Sequence, residues 1–157
     1  MIISGDSCSK ARLEIFLVED NPCDVVLFKQ ILRKSSVASF LTVVSDGTTA
    51  IERLEEGTRP DAIFLDLNLP GKTGHEILAE LKESPALAAI PVAVLTGSDD
   101  HKDQEICKLL GAERYFSKAA ALDDLVTLTL QIATFLQSLE HGSASTGLPG
   151  CRATSAA

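Results

Sequence analysis

The sequence lacks the features that mark several large classes of protein. No apolar run in its 157 residues approaches the roughly 20 residues needed to span a bilayer. The start, MIISGDSCSKAR, has no basic stretch followed by a long apolar segment, so we expect no secretory signal. Acidic residues number 22 against 14 basic ones, and the net charge of −8 argues against a general nucleic-acid binder.

Cysteine and histidine are scarce and scattered. No two of the four cysteines form a C-x-x-C pair, which argues against a zinc site and a disulfide framework: Cys8, Cys23, Cys107 and Cys151. Reduced thiols in a cytoplasmic protein are the simpler interpretation, with Cys107 packed as a small apolar residue. Surface or capping positions are expected for the histidines, His75, His101 and His141.

Short apolar segments alternate regularly with segments of helical periodicity. The predicted strands are Leu13–Val18, Phe40–Ser45, Asp61–Asp66, Pro91–Gly97 and Glu113–Ser117. The predicted helices begin near Pro22, Gly47 and Gly74, span Asp99–Leu110, and run from Asp123 to about Leu139. Five βα units in a row predict an α/β fold with a doubly wound, five-stranded parallel sheet.

One domain accounts for most of this length. We expect an N-terminal extension over residues 1–12, a domain over 13–139 and a flexible tail over 140–157, because the last segment is small, polar and rich in Gly, Ser, Thr and Ala. No output domain is expected after the last helix.

Chemically active side chains stand at the ends of four predicted strands, where parallel strands converge on one crevice. They are Glu19 and Asp20, Asp66, Thr96 and Lys118. Each alone has a plainer interpretation as a helix cap, turn former, strand end or solvated lysine. Together they form a combination that such structural roles do not explain.

The combination favours phosphoryl chemistry. Three neighbouring carboxylates repel one another and call for a cation, and hard oxygen ligands suit Mg²⁺. Lys118 could pair with Asp66 or hold a phosphoryl oxygen, and Thr96 offers a hydroxyl donor. These groups suit a carboxylate that accepts a phosphoryl group as an aspartyl-phosphate.

Four motifs carry a family resemblance: LVEDN, LDLNLPGKTG, LTG and YFSK, in this order and spacing. Over Leu13–Leu139 the sequence resembles the receiver domain of two-component response regulators, which implies the (βα)5 flavodoxin-like fold. The resemblance implies Asp66 as phosphoacceptor. It also implies that Asp20, Asp66 and the backbone carbonyl of Asn68 bind Mg²⁺ directly, while Glu19 acts mainly through water.

The same resemblance assigns the remaining site residues. Thr96 and Lys118 contact phosphoryl oxygens, and Tyr115 is the aromatic residue that switches rotamer together with Thr96. Asn68 and Ser98 occupy positions that tune the lifetime of the phosphoryl group. One residue departs from the family pattern: Ala119 stands where a proline usually follows the lysine, so the loop after Lys118 is expected to differ.

The resemblance also implies partners. The sequence is most like the stand-alone receivers that partner bacterial phytochrome histidine kinases, so the phosphodonor is expected to be such a kinase. A downstream protein, or a second copy in a homodimer, is expected on the face formed by the fourth helix, fifth strand and last helix. No nucleic-acid or membrane partner is expected.

Two other functions remain open at this stage. One is an Mg²⁺-dependent phosphohydrolase with an aspartyl-phosphate intermediate. Asn68 argues against it, because such enzymes carry D-x-D with the second Asp as general acid/base, and their nucleophile follows the first strand. The other is a pseudo-receiver that binds partners without phosphorylation.

Overall fold

The computed structural model describes residues 12–119 and 124–156, with the backbone alone described from 141 onward. These residues form five strands and five helices in alternation. In chain order they are β1 Leu13–Val18, α1 Pro22–Ser35, β2 Ser39–Val44, α2 Gly47–Glu55, β3 Ala62–Leu65, α3 Gly74–Glu83, β4 Val92–Thr96, α4 His101–Leu109, β5 Arg114–Ser117 and α5 Leu125–Ala156.

The five strands form one parallel sheet in the order β2-β1-β3-β4-β5. The predicted doubly wound parallel sheet is therefore confirmed. The order reverses at β1, because β2 lies on one side of it and β3 on the other. Crevices for ligands form at such a reversal, outside the carboxyl ends of the strands.

Both faces of the sheet are covered, which explains why its central strand β3 is apolar throughout. Successive strand residues point to opposite faces. Ile63 and Leu65 of β3 pack in a core with α2, α3 and the buried Cys107 of α4. Phe64 between them packs on the other face, with α1 and α5. There its ring contacts those of Phe28, Phe116 and Phe135, at centroid distances of 4.7, 6.3 and 5.8 Å.

The helix ends follow the sequence signals in most places. Asn21 caps α1, with its Oδ1 accepting a hydrogen bond from the Cys23 amide, and Pro22 occupies the first turn. Gly111 follows α4 with φ of 102°, a left-handed conformation that favours glycine. Among the helices of the described ranges, none is both long and apolar enough to cross a membrane.

The last helix differs from the expectation at its C-terminal end. It continues to Ala156, whereas the sequence analysis ends it at about Leu139. That earlier end was expected because the last segment is small, polar and rich in Gly, Ser, Thr and Ala. The predicted start at Asp123 lies outside the described residues. The division into extension, domain and flexible tail stays a prediction.

Candidate functional site

The carboxylates expected at the ends of β1 and β3 lie together. Because these strands are neighbours, Asp66 follows β3 directly beside Glu19 and Asp20, and its amide donates to the Val18 carbonyl at 3.2 Å. One carboxylate oxygen from each of Glu19, Asp20 and Asp66 lies within 4.8 Å of the others. Glu19 and Asp66 are buried, at 2% and 5% exposed, while Asp20 faces solvent.

Lys118 reaches this acidic group from the end of β5. Its amide donates to the Thr96 carbonyl at 2.7 Å, which fixes the backbone beside β4. Its Nζ lies 2.5 Å from Glu19 Oε1 and 2.8 Å from Asp24 Oδ2, but 3.7 Å from Asp66 Oδ1. The amine therefore forms hydrogen bonds with Glu19 and Asp24 and lies near Asp66 without bonding to it.

Asp24 is a member of the site that the sequence analysis missed. It looks like an ordinary acidic residue in the first turn of α1, a position that favours negative charge. The signal that could have found it is its position: it lies in the first turn of the helix that follows the acidic end of β1. That turn faces the crevice into which Lys118 extends.

The electrostatics of the site follow from burial. Burial raises the pKa of the Glu19 carboxyl, the hydrogen bond from Lys118 lowers it, and the charge of Asp66 raises it further, for a net upward shift. Burial lowers the pKa of Lys118, but its hydrogen bonds to Asp24 and Glu19 outweigh this, and the net shift is also upward. The site is thus an acidic crevice with one ammonium bound to two carboxylates.

The loop after β3 holds Asp66 at the mouth of this crevice. The Gly74 amide donates to the Leu67 carbonyl at 3.0 Å, so the loop folds back onto the strand end. A Cβ at Gly74 would lie 2.5 Å from the Asp66 carbonyl oxygen, which explains the glycine there. The crevice is about 620 Å³, and Asn68 and Ala119 line it together with the four acidic residues and Lys118.

Thr96 and Tyr115 are not among the residues that line the crevice, although Gly97, directly after Thr96, is. Thr96 is buried at the end of β4, and its Oγ1 accepts a long hydrogen bond from the Ser98 amide, at 3.4 Å. The Tyr115 hydroxyl donates to the Ser98 carbonyl at 2.9 Å. Burial raises the pKa of this hydroxyl, although the bond to Ser98 opposes the shift. Both residues thus contact the loop between β4 and α4.

That β4–α4 loop is also tied to α3 and α4. Ser98 Oγ donates to Asp103 Oδ2 at 2.6 Å, and His75 Nε2 lies 3.4 Å from Asp103 Oδ1. His75, expected only at a surface or cap, is half-buried in the first turn of α3. These contacts join the helix after Asp66 to the loop that Tyr115 contacts.

Ala119 replaces the usual proline with consequences visible in the backbone. Its amide donates to Ser117 Oγ at 3.2 Å, a hydrogen bond that proline cannot make. This bond helps to hold the chain just after Lys118.

The donor set fits a divalent cation. Three carboxylates with hard oxygen atoms converge within 4.8 Å, and the Asn68 segment lines the same crevice. Mg²⁺ is bound in proteins by one or two carboxylates and keeps several waters, which an open crevice of this size accommodates.

Comparison with known proteins identifies the family. The family model described as response regulator receiver domain matches residues 15–130. The chain therefore belongs to the response regulator receiver domain family, and the resemblance found in the sequence is confirmed.

Two response regulators, Rcp1 and RcpA, are similar to this chain over most of its length. Response regulator Rcp1 from Synechocystis sp. is 39% identical over 127 residues, covering 77% of this chain and 86% of Rcp1. The phosphorylated cyanobacterial phytochrome response regulator RcpA is 40% identical with a TM-score of 0.72, covering 80% of this chain and 94% of that one. The Mn²⁺-bound form of Rcp1 is 37% identical with a TM-score of 0.71, covering 79% and 94%.

Proposed function

We propose that this chain acts as a single-domain response regulator that accepts a phosphoryl group on Asp66 from a histidine kinase in an Mg²⁺-dependent reaction. The observation that carries the proposal is the convergence of Glu19, Asp20 and Asp66 within 4.8 Å, with the Lys118 amine 3.7 Å from Asp66. The single-domain part is supported by coverage, because the similarity spans 94% of the RcpA chain.

The residues divide the chemistry among them. An oxygen of the Asp66 carboxylate attacks phosphorus, the bond from phosphorus to the kinase histidine breaks, and its electron pair and a proton remain on the imidazole. Lys118 and Thr96 contact phosphoryl oxygens, the first by charge and the second by its hydroxyl. Positioning and charge neutralisation supply most of the rate in such transfers.

Asp20, Asp66 and the Asn68 carbonyl would hold Mg²⁺, with Glu19 acting mainly through water. Bound there, the ion neutralises negative charge on the oxygens of the transferring group. The Mn²⁺-bound form of Rcp1 supports a divalent cation in this family. We propose signalling as the function, with chemistry confined to the domain's own phosphorylation and dephosphorylation.

Phosphorylation adds charge beside a loop that has several polar contacts, as in other phosphorylation switches. We infer that Thr96 moves toward the phosphoryl group and that Tyr115 repacks as its contact with Ser98 changes. The output face is formed by α4, β5 and α5. Two apolar side chains of α4 are exposed there, Ile106 at 43% and Leu109 at 86%, which suits a downstream protein or a homodimer.

The kinase is proposed to be a bacterial phytochrome, because RcpA is a cyanobacterial phytochrome response regulator. We also propose a cytoplasmic location, as expected from the sequence. A matched test is phosphotransfer from a phytochrome kinase and from an unrelated histidine kinase, compared by initial rate. Equal rates would contradict the phytochrome assignment.

The function itself is tested without a kinase. Wild type and Asp66→Asn are incubated with acetyl phosphate, with and without Mg²⁺, and intact mass is measured. We expect one phosphoryl group on wild type only when Mg²⁺ is present. No gain on wild type would favour the pseudo-receiver, and rapid multiple turnover of a phosphomonoester that Asp66→Asn abolishes would favour the phosphohydrolase.

A further inference from the structure

Asp24 is the acidic residue of the crevice to which the proposed phosphoryl transfer gives no role. It lies in the first turn of α1, with its side chain 30% exposed. Its Oδ2 accepts a hydrogen bond from Lys118 Nζ at 2.8 Å, across 94 residues of sequence. A half-buried acidic residue at a helix start is already stabilised by the helix dipole, so the bond to Lys118 is an additional contact that needs an explanation.

The position of the Lys118 ammonium supplies that explanation. Lysine carries its charge on a flexible four-carbon chain, so the acceptors around it decide where the amine rests. Here they are Glu19 Oε1 at 2.5 Å and Asp24 Oδ2 at 2.8 Å. Asp66 Oδ1, at 3.7 Å, lies outside hydrogen-bond distance. The ammonium is therefore held beside the start of α1 rather than on Asp66.

A direct role in binding the cation fits Asp24 less well than its contact with Lys118. The carboxylates that lie within 4.8 Å of one another are those of Glu19, Asp20 and Asp66, and this group does not include Asp24. Its one described side-chain partner in the crevice is the Lys118 amine. Asp24 therefore contacts the lysine, and the other three carboxylates form the candidate cation site.

We propose that Asp24 is a positioning residue that restrains the Lys118 ammonium before phosphorylation and so slows phosphoryl transfer to Asp66. The inference rests on the proposed function, in which Lys118 contacts the transferred phosphoryl group. To make that contact the ammonium must give up or share its bond to Asp24. Weakening the bond between Asp24 and Lys118 should therefore allow the ammonium to contact the phosphoryl group more readily.

The first test is kinetic. Asp24→Asn keeps the size of the side chain but removes the charge, and we expect phosphorylation by acetyl phosphate at saturating Mg²⁺ to become about fivefold to tenfold faster; tenfold corresponds to about 1.4 kcal/mol. In a Lys118→Gln background the same substitution should change nothing, because no ammonium remains to be held. A gain that persists in that background would overturn the proposal in favour of a general charge effect.

Two further variants sharpen this comparison. Asp100→Asn removes a carboxylate from the loop before α4, where Asp100 caps the helix through the Lys102 amide without contacting Lys118, and its rate should stay within twofold of wild type. A rate that falls in Asp24→Asn at subsaturating Mg²⁺ and recovers as Mg²⁺ is raised to saturation would show that Asp24 holds the cation, which also overturns the proposal.

The second test needs no phosphodonor. The ¹⁵N resonance of the Lys118 ammonium, assigned by its loss in Lys118→Gln, should shift in Asp24→Asn and stay in place in Asp100→Asn. An unchanged resonance in Asp24→Asn overturns the positioning role by itself. Failure of wild type to take up a phosphoryl group overturns the proposed function instead, so the two failures are distinguishable.

Discussion

Replacing Gly74 by alanine tests whether the loop after β3 holds Asp66 in its reactive position. The added Cβ would lie 2.5 Å from the Asp66 carbonyl oxygen and 2.5 Å from Leu67 Cα. Ordinary contacts between such atoms are about 3.5 Å, so the loop must move by about 1 Å. Both contacted atoms belong to the backbone, and no side-chain rotation can relieve the clash.

The magnitude follows from that displacement. Misplacing a reacting group by about 1 Å can reduce a rate by about 100-fold, so we expect a loss of that order in phosphorylation by acetyl phosphate. Overpacking should also lower the free energy of unfolding by about 1–3 kcal/mol. Initial rates are measured by intact mass at a temperature where thermal unfolding shows that the variant is folded.

Gly57→Ala is the control. Gly57 follows α2 with φ of 122°, a left-handed conformation that alanine adopts only with strain, and it does not line the crevice. Stability should therefore fall while the rate stays within about twofold of wild type. Phosphorylation of Gly74→Ala at the wild-type rate would show that this loop does not position Asp66.

Three other predictions concern stability. Phe64→Ala removes a fully buried ring that contacts three others and should cost about 3–5 kcal/mol in urea unfolding; a loss below about 1 kcal/mol would contradict the core described here. Thr73→Ala removes the capping-box acceptor of α3 and should cost about 1 kcal/mol, whereas Thr73→Ser should retain most of it. Burial raises the pKa of Glu19 above its ordinary 4.5, so the folded state binds this proton more tightly than the unfolded state does. Without divalent cations, the free energy of unfolding should therefore fall as pH rises from 4.5 through the shifted pKa. Glu19→Gln should flatten that fall, and an unchanged slope would show that Glu19 is not its source.

The sequence predicts the sheet well because strands such as β3 and β4 are buried on both faces. Ile63, Phe64 and Leu65 leave no polar face, as parallel strands require, and Asp66 is conspicuous directly after them. Because the strands are parallel, the polar residues that follow their carboxyl ends lie at the same edge of the sheet. The gathering of Glu19, Asp20, Asp66 and Lys118 therefore follows from element type and order.

Contacts between side chains far apart in sequence are harder to predict. The bond between Asp24 and Lys118 depends on how α1 sits against the end of β5, which no local pattern encodes. The same holds for His75 and Asp103, which meet because α3 and α4 pack side by side. The predicted end of α5 was wrong for a different reason: it rested on the small, polar composition after Leu139, and composition is only a weak guide to where a helix ends.

Chemical trapping of the phosphorylated residue shows which carboxylate accepts the phosphoryl group. Borohydride reduces an acyl phosphate to an alcohol, so the acceptor can be located by peptide mass mapping after treatment with acetyl phosphate and Mg²⁺. We expect reduction at Asp66 in wild type and none when Mg²⁺ is left out. Reduction at Glu19, Asp20 or Asp24, or none at any residue, would contradict this expectation.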